Sequence, residues 1–309
     1  MGGQMVSFIC NICGARNQVE HFASEPASCA CGSNVRLRSL MHLLSMELFG
    51  QSLTVRDFPR LRGVRGIGMS DKDCYPDILA EKFDYTNTYY DREPRLDFTQ
   101  PHPDLYGQYD FILSADVLEH IAPPVEKAIE EACRLLKPTG FLAITVFCNP
   151  ADSLREHFPE LHDYRIVRLG DASVLVNRRT DGKVEIREDL IFHGDLVGAT
   201  LEMREFGITA LKAMLMSAGF HEVHLLTQDL RESGIIFDHD VSQPLIARKR
   251  PFAIDARVWT QMVEHWNAAR DSARRERDRA ELAVRQISLA AQSRWLRLGR
   301  RLGVGPRFG

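Results

Sequence analysis

An α/β fold built on an open, mostly parallel sheet is what this sequence predicts, and three stretches carry that expectation. In Tyr109 to Ile121 (YDFILSADVLEHI), the apolar residues Phe111 to Leu113 run behind Asp110 and then give way to small and acidic residues. That is the pattern of a short buried strand opening into a polar rim. Arg134 to Gly140 (RLLKPTG) closes a helix, and Phe141 to Phe147 supplies the next apolar strand. Val64 to Ile67 forms an earlier strand, followed by the turn Gly68-Met69-Ser70-Asp71 and a helix around Pro76 to Phe83. In open parallel sheets ligands sit outside the carboxyl ends of the strands, so the rim after Leu113 is where function is expected.

Taken in order, residues 1–35 have too little apolar content for a core of their own. Cys10-Asn11-Ile12-Cys13-Gly14 is a metal-knuckle pattern, and Cys29-Ala30-Cys31-Gly32 is its candidate partner, spaced C-x-C where C-x-x-C is usual. Four thiolates from Cys10, Cys13, Cys29 and Cys31 would hold zinc tetrahedrally and supply folding energy, with His21 able to replace one of them. Four protein ligands leave no open position, which points to a structural zinc ribbon. Arg36 to Phe49 places Leu37, Leu40, Met41, Leu44 and Leu48 at helical spacing with Gly50 as a stop, a packing helix against one sheet face.

Tyr85 to Tyr90 (YTNTYY) reads as the second strand, ending at Asp91. Pro101 and Pro103 break the chain before the central strand, and Pro123-Pro124 starts a helix whose Ile129, Cys133 and Leu136 face the sheet. Residues 149–206 exceed what a minimal sheet domain needs; within them Val174 to Arg187 reads as a β-hairpin around Asp181-Gly182. A helix ending at Ala218-Gly219-Phe220 and two strands, His221 to Leu226 and Pro244 to Arg248, close the domain near residue 250.

Residues 251–309 change character. Trp259, Met262, Trp266, Ala269 and Ala273 keep a heptad-like seam that Ala280 and Ile287 continue, a weak coiled coil at best. Beyond Pro251 there are 12 arginines against 6 acidic residues, so this tail carries +6 and the remainder -9 within a net charge of -3. The basic Trp/Leu ending from Ser293 suits either an anionic membrane surface or a partner helix, and equally packing on its own domain; a homodimer is one arrangement it permits. No apolar run approaches the roughly 20 residues that span a bilayer. Seven cysteines without a secretory leader suggest thiols kept in a reducing cytosol, with peripheral contact at the inner membrane face as the exception to a cytoplasmic location.

The order strand, acidic rim, helix, KPxG turn and strand resembles the class I S-adenosylmethionine (SAM) methyltransferases over about Gly63 to Lys249. The cysteine pairs followed by Gly32-Ser33-Asn34-Val35-Arg36-Leu37-Arg38 are similar to a zinc-ribbon-bearing branch associated with bacterial glycan biosynthesis. The resemblance implies a Rossmann-like, seven-stranded methyltransferase sheet with an N-terminal zinc ribbon (1–35), a substrate-recognition insertion (149–206) and a C-terminal helical extension. It also implies SAM as cofactor and a small-molecule or glycan acceptor methylated on oxygen or nitrogen. The turn carrying Gly66, Gly68 and Ser70 would be the SAM loop, although Ser70 stands where glycine is expected and Gly66 occupies the usual acidic position. Asp91 would bind the ribose hydroxyls, or else be an exposed loop residue; Asp97 would lie near adenine, and Ser114 and Asp116 would line the site, with Glu119 and His120 shaping it.

A hydroxyl or amine acceptor loses a proton as it takes the methyl group, and a histidine is a suitable base. His162, next to Asp163, and His193, beside Gly194, are the two candidates. Two rivals remain: an RNA or protein methyltransferase, and a non-catalytic scaffold suggested by Gly66 and Ser70. Nucleic acid is disfavoured because the ribbon lacks aromatic residues interleaved with basic ones.

Overall fold

The computed structural model describes residues 5–20, 27–149, 151–170, 172–193, 200–237 and 242–291. It divides into two compact units, Met1–Ile254 and Asp255–Gly309. The first begins with an antiparallel hairpin, β1 (Val6–Ile9) and β2 (Arg16–Val19), and continues into α1 (Val35–Phe49). Asn34 caps α1 by accepting from the Leu37 amide at 3.0 Å, and Gly50 ends it in the left-handed conformation at φ 67°. The helix does more than cover one face: Arg38, Ser39, His42 and Ser45 are buried along with its apolar stripe. It packs on β5, β6 and β15, and its Arg38 ties it to the N-terminal segment through the Phe8 ring and the Asn11 side chain.

The chain then runs through β3 (Leu61–Met69), α2 (Pro76–Lys82), β4 (Phe83–Thr88), β5 (Tyr109–Ala115), α3 (Val125–Leu135) and β6 (Leu136–Val146). The insertion follows as β7 (Arg155–Glu156), β8 (Asp163–Leu169), β9 (Ala172–Arg178), β10 (Val184–Arg187), β11 (Phe192–His193), β12 (Thr200–Leu201) and β13 (Arg204–Glu205). After α4 (Ile208–Ser217), β14 (Glu222–Leu225) and β15 (Gln243–Arg248) complete the sheet. The hairpin of β9 and β10 turns at Gly182, φ 83°, as its sequence requires.

The central sheet has six strands in the order β14-β15-β6-β5-β3-β4, not the expected seven. Pairings among β4, β3, β5 and β6 are parallel, and β15 runs antiparallel to both neighbours. No further strand joins the β4 edge among the described residues. The chain from Tyr89 to Gln108 carries Pro94, Pro101 and Pro103, which donate no ladder hydrogen bond, and it folds on itself through a single Tyr89–Arg95 bridge. The second strand is Phe83–Thr88, two residues earlier than expected.

Gly66 belongs to this core and not to a ligand loop. It sits within β3 opposite Phe111, and a Cβ there would run into the Phe111 ring. That ring stacks between Tyr85 at 5.8 Å and Phe141 at 6.0 Å, so the missing side chain makes room for an aromatic column through the sheet.

The second unit contains one continuous helix, α5 (Ala256–Ala291). The basic Trp/Leu ending from Ser293 lies outside the described residues, as does His21. Among the described residues no helix is long and apolar enough to cross a membrane.

Candidate active site

From β3 the chain passes to β4 on one side and then returns to β5 on the other, so the carboxyl ends of β3 and β5 form the topological switch point of the sheet. A crevice opens there in such folds. On the β3 side the strand ends at Met69 and turns at Ser70, held at φ 56° with its amide donating to Thr88 O at 2.7 Å. Ser70 thus adopts the left-handed backbone that glycine takes most easily. Ser70→Gly is expected to raise stability by roughly 0.5 kcal/mol, the left-handed cost of about 1–2 kcal/mol less glycine's added chain entropy of about 0.5–1. A lower denaturant midpoint for this variant would show that the serine is needed in the turn.

Beneath the turn lies a buried carboxyl. Asp71 accepts from Tyr75 Oη at 2.8 Å and from Tyr85 Oη, and its amide donates to Asn87 Oδ1 at 2.9 Å. Burial raises its pKa to about 7, against the lowering effect of both tyrosine hydroxyls. Gly68 lies directly against this group, since a Cβ there would strike the Asp71 carboxyl and Tyr85. Its requirement is room for the buried acid as much as approach by a ligand.

On the β5 side, Ser114 is fully buried and its Oγ has no partner among the described residues. Asp116, at φ 51°, is a hub rather than a free carboxylate. Thr145 Oγ1 donates to its Oδ1 at 2.8 Å, Ser242 Oγ donates to Oδ2 at 2.5 Å, and the Arg36 guanidinium from α1 pairs with the same oxygen. Glu119 is also buried; its Oε2 has no partner among the described residues, and burial, then the charge of Asp116, push its carboxyl well above the ordinary range. Asp91 stands exposed, three residues beyond the end of β4. Asp97 Oδ1 is engaged by Thr99, through its amide at 2.8 Å and its hydroxyl at 2.7 Å.

The insertion brings a second group of side chains to this rim. The fully buried Arg204 donates to Glu156 Oε1 at 2.6 Å and to the carbonyls of Leu118 and Ile121 at 2.8 and 2.6 Å, pinning the loop that carries Glu119 and His120. His157 Nε2 and His193 Nε2 lie 2.7 and 2.8 Å from the two oxygens of Glu202. The ring of His120 meets that of His193 edge-on at 5.4 Å. His120 Nδ1 is 3.0 Å from Leu201 O, and since a carbonyl only accepts, this nitrogen carries the proton. His162 is not brought in: it is exposed, and the contact that anchors it is its backbone amide, to Asn177 Oδ1 at 2.9 Å. A cavity of 470 Å³ adjoins the group, walled by Glu156, His157, Arg187, Glu188 and Asp189.

The four cysteines converge as well. Cys10 Sγ lies 3.8 Å from Cys31 Sγ and Cys13 Sγ lies 3.6 Å from Cys29 Sγ, with all four sulfurs within 4.8 Å of one another. Four Zn–S bonds of about 2.3 Å in a tetrahedron separate their sulfurs by about 3.8 Å, so the set fits that ion. Beside it the buried Arg38 guanidinium lies over the Phe8 ring at 4.6 Å and donates to Ser33, Ser28 Oγ and Gly234 O. Its acceptors are all neutral; the groups near it that become negative on losing a proton are the thiols of Cys10, Cys29 and Cys31, and that of Cys74 from the segment after Ser70.

Arg36, Arg38, Ser242 and Glu202 were missed from sequence. Arg36 and Arg38 did leave a signal, since two arginines flank Leu37 inside a helix of otherwise apolar spacing.

Residues 66–178 match the family model described as a methyltransferase domain. No curated protein matches the chain. Similar solved structures include the CMeT domain of the citrinin polyketide synthase, at 14% identity and TM-score 0.41, covering 72% of this chain and 54% of that one. The 1,6-didemethyltoxoflavin-N1-methyltransferase of Burkholderia thailandensis, solved with S-adenosylhomocysteine, is 14% identical with TM-score 0.33 and covers 60% and 72%. A SAM-bound amino pentose methyltransferase of Micromonospora echinaspora is 13% identical with TM-score 0.36, covering 63% and 88%. This chain therefore spans about half the length of the first of these.

Proposed function

We propose, from the methyltransferase domain that this chain carries over residues 66–178, that it transfers a methyl group from SAM to an oxygen or nitrogen of a sugar or glycan-pathway acceptor. The observation that supports this reading is the switch point between β3 and β5, where Ser70 turns in the left-handed conformation and Ser114 Oγ is buried with no partner among the described residues, together with a histidine–glutamate group and a polar cavity in the insertion. The buried, unpartnered Ser114 Oγ and Glu119 Oε2 are groups a polar cofactor would satisfy. SAM supplies a methyl group already activated by a sulfonium, so the protein's tasks are alignment, exclusion of water and removal of one proton.

Ser70, Gly68 and Ser114 would hold the cofactor, while Asp116, fixed by Arg36, Thr145 and Ser242, sets the shape of the wall. Asp91 and Asp97 remain proposals for the ribose and adenine ends. His193 is favoured over His162 as base. Glu202 holds its Nε2, leaving the other ring nitrogen to take the acceptor proton while the carbon–oxygen or carbon–nitrogen bond forms and the carbon–sulfur bond breaks. Hydroxyl-rich acceptors suit the cavity wall, where carboxylates accept and Arg187 donates. Cys10, Cys13, Cys29 and Cys31 would bind a structural zinc ion that supplies folding energy to the ribbon.

Calorimetry with SAM and S-adenosylhomocysteine tests the premise, with one site per chain expected. With nucleotide sugars or lipid-linked glycans as acceptors, His193→Ala is expected to lower turnover about 10²-fold or more while leaving cofactor affinity unchanged. Absence of binding heat would reduce the chain to a scaffold, and full activity of His193→Ala would remove the base.

A further inference from the structure

The acceptor side of the site holds a second set of side chains of metal-ligand type. We propose that His157, Glu202 and Glu205 form a divalent transition-metal site, separate from the thiol cluster, whose open positions face the cavity beside His157. Its role toward the acceptor rests on the methyl-transfer reading; its existence rests on geometry alone.

The ligand atoms are already gathered. His157 nitrogen and one oxygen each from Glu202 and Glu205 lie within 4.8 Å of one another. A cation about 2.0–2.2 Å from each would need separations between roughly 2.8 and 4.2 Å, so small side-chain shifts close the set. The backbone holds all three in place. β7 pairs with β13 in the register Glu205 with Arg155, His157 N donates to Met203 O at 2.9 Å, and Glu202 N donates to Ile191 O at 2.8 Å. One ligand within this small ladder and two beside it, each tied by a backbone hydrogen bond, form a preformed site.

Charge points the same way. The Glu202 side chain is 8% exposed, and its recorded partners are two imidazoles, with no lysine or arginine among them. Glu205 pairs with Arg155, at 3.3 Å, a side chain that is itself 68% exposed. Glu119, 3% exposed with an oxygen that has no partner among the described residues, lies within electrostatic reach of Glu202. Glu202 and Glu119 are buried carboxyls close to each other, with no lysine or arginine ion-paired to either among the described residues, an arrangement that is costly when both are charged and that a bound divalent ion compensates.

The donor set selects the ion. One imidazole with two carboxylates suits manganese, iron(II), cobalt or zinc, while soft copper(I) would want sulfur. Three protein ligands leave positions for an acceptor oxygen. There the cation would orient a hydroxyl and ease loss of its proton, next to His193 on the far oxygen of Glu202.

The test uses the full chain with zinc retained in the ribbon and manganese(II) as probe, since manganese prefers oxygen and nitrogen ligands to thiolates. Free manganese is followed by its electron paramagnetic resonance signal. One site per chain is expected, with affinity lowered about tenfold or more in Glu202→Gln and in the more exposed Glu205→Gln, and unchanged in Glu130→Gln, an exposed residue of α3. Thermal melts confirm folding of each variant. The proposal is overturned if the wild-type chain takes up no manganese or cobalt, or if the Glu202 and Glu205 variants bind as well as it does. Metal uptake without methyl transfer would keep this site and sink the functional reading; methyl transfer without uptake would do the reverse.

Discussion

On the proposed zinc site, adding a chelator or replacing Cys10 by serine is expected to lower the melting temperature by about 10 °C and to weaken S-adenosylhomocysteine binding at a site outside the hairpin. The thiol cluster does not end at its own hairpin. Cys10 Sγ lies 3.2 Å from Ser33 Oγ, Ser33 accepts from Arg38, and the Asn11 side chain donates to Arg38 O at 2.9 Å. Arg38 is 0% exposed, so without a thiolate-bound zinc dianion beside it the guanidinium becomes a buried charge among neutral acceptors. Breaking a buried charge pair in this way costs about 3–5 kcal/mol, and each kcal/mol moves the melt by about 2–4 °C in a unit of this size.

Two residues before Arg38, at the start of the same helix, Arg36 reaches Asp116, and Cys74 approaches the cluster from the segment after Ser70; burial pushes its thiol up to about 12, with Cys31 and Cys10 adding to the effect. Loss of a zinc ion at the proposed site is therefore expected to loosen the segments that follow both β3 and β5. Differential scanning calorimetry with and without chelator, paired with binding calorimetry, checks this. A chelated chain with an unchanged melt and unchanged cofactor affinity would show that the cysteines carry no such load.

The parts of this molecule that were legible in the sequence are those written in short range. Tyr109 to Ile121 and Arg134 to Phe147 announced the central strands because parallel-sheet strands are continuous apolar runs with a polar exit. Cysteine spacing likewise announced a cluster whose sulfurs do converge. What escaped is what long-range packing decides. Arg36 and Asp116 are 80 positions apart, Ser242 and Asp116 are 126 apart, and no local pattern pairs them. Gly66 looked like part of a ligand loop because a glycine near a strand end has two explanations, and only the position of Phe111 chooses between them. The missing seventh strand had a local sign in the prolines before Tyr109, but strand count is a property of the sheet. His193 stands with Glu202 while His162 stands apart, although the sequence presents both as equal.

Stability should fall as pH rises from about 4 to about 8, and Asp71→Asn should abolish much of that fall. The pKa of Asp71 rises from 3.8 to about 7, with burial the dominant cause. Between those values the folded chain keeps a proton that the unfolded chain has released, so raising the pH favours unfolding; the penalty is absent below about 4 and complete above about 8. At about 1.4 kcal/mol for each pKa unit, the displacement corresponds to about 4 kcal/mol.

Glu119 is displaced in the same direction by burial, so the wild-type slope has more than one source, and the decisive quantity is the difference between the variant and the wild type. Asparagine keeps an acceptor for Tyr75 and offers Tyr85 Oη a donor, so the buried group stays satisfied without a titrating proton. Urea unfolding at intervals between pH 4.5 and 8.5 should then give two curves that diverge by several kcal/mol toward alkaline pH. Parallel curves would mean that Asp71 is ionised in the fold throughout, its charge held by the two tyrosine hydroxyls and the backbone around Gly68.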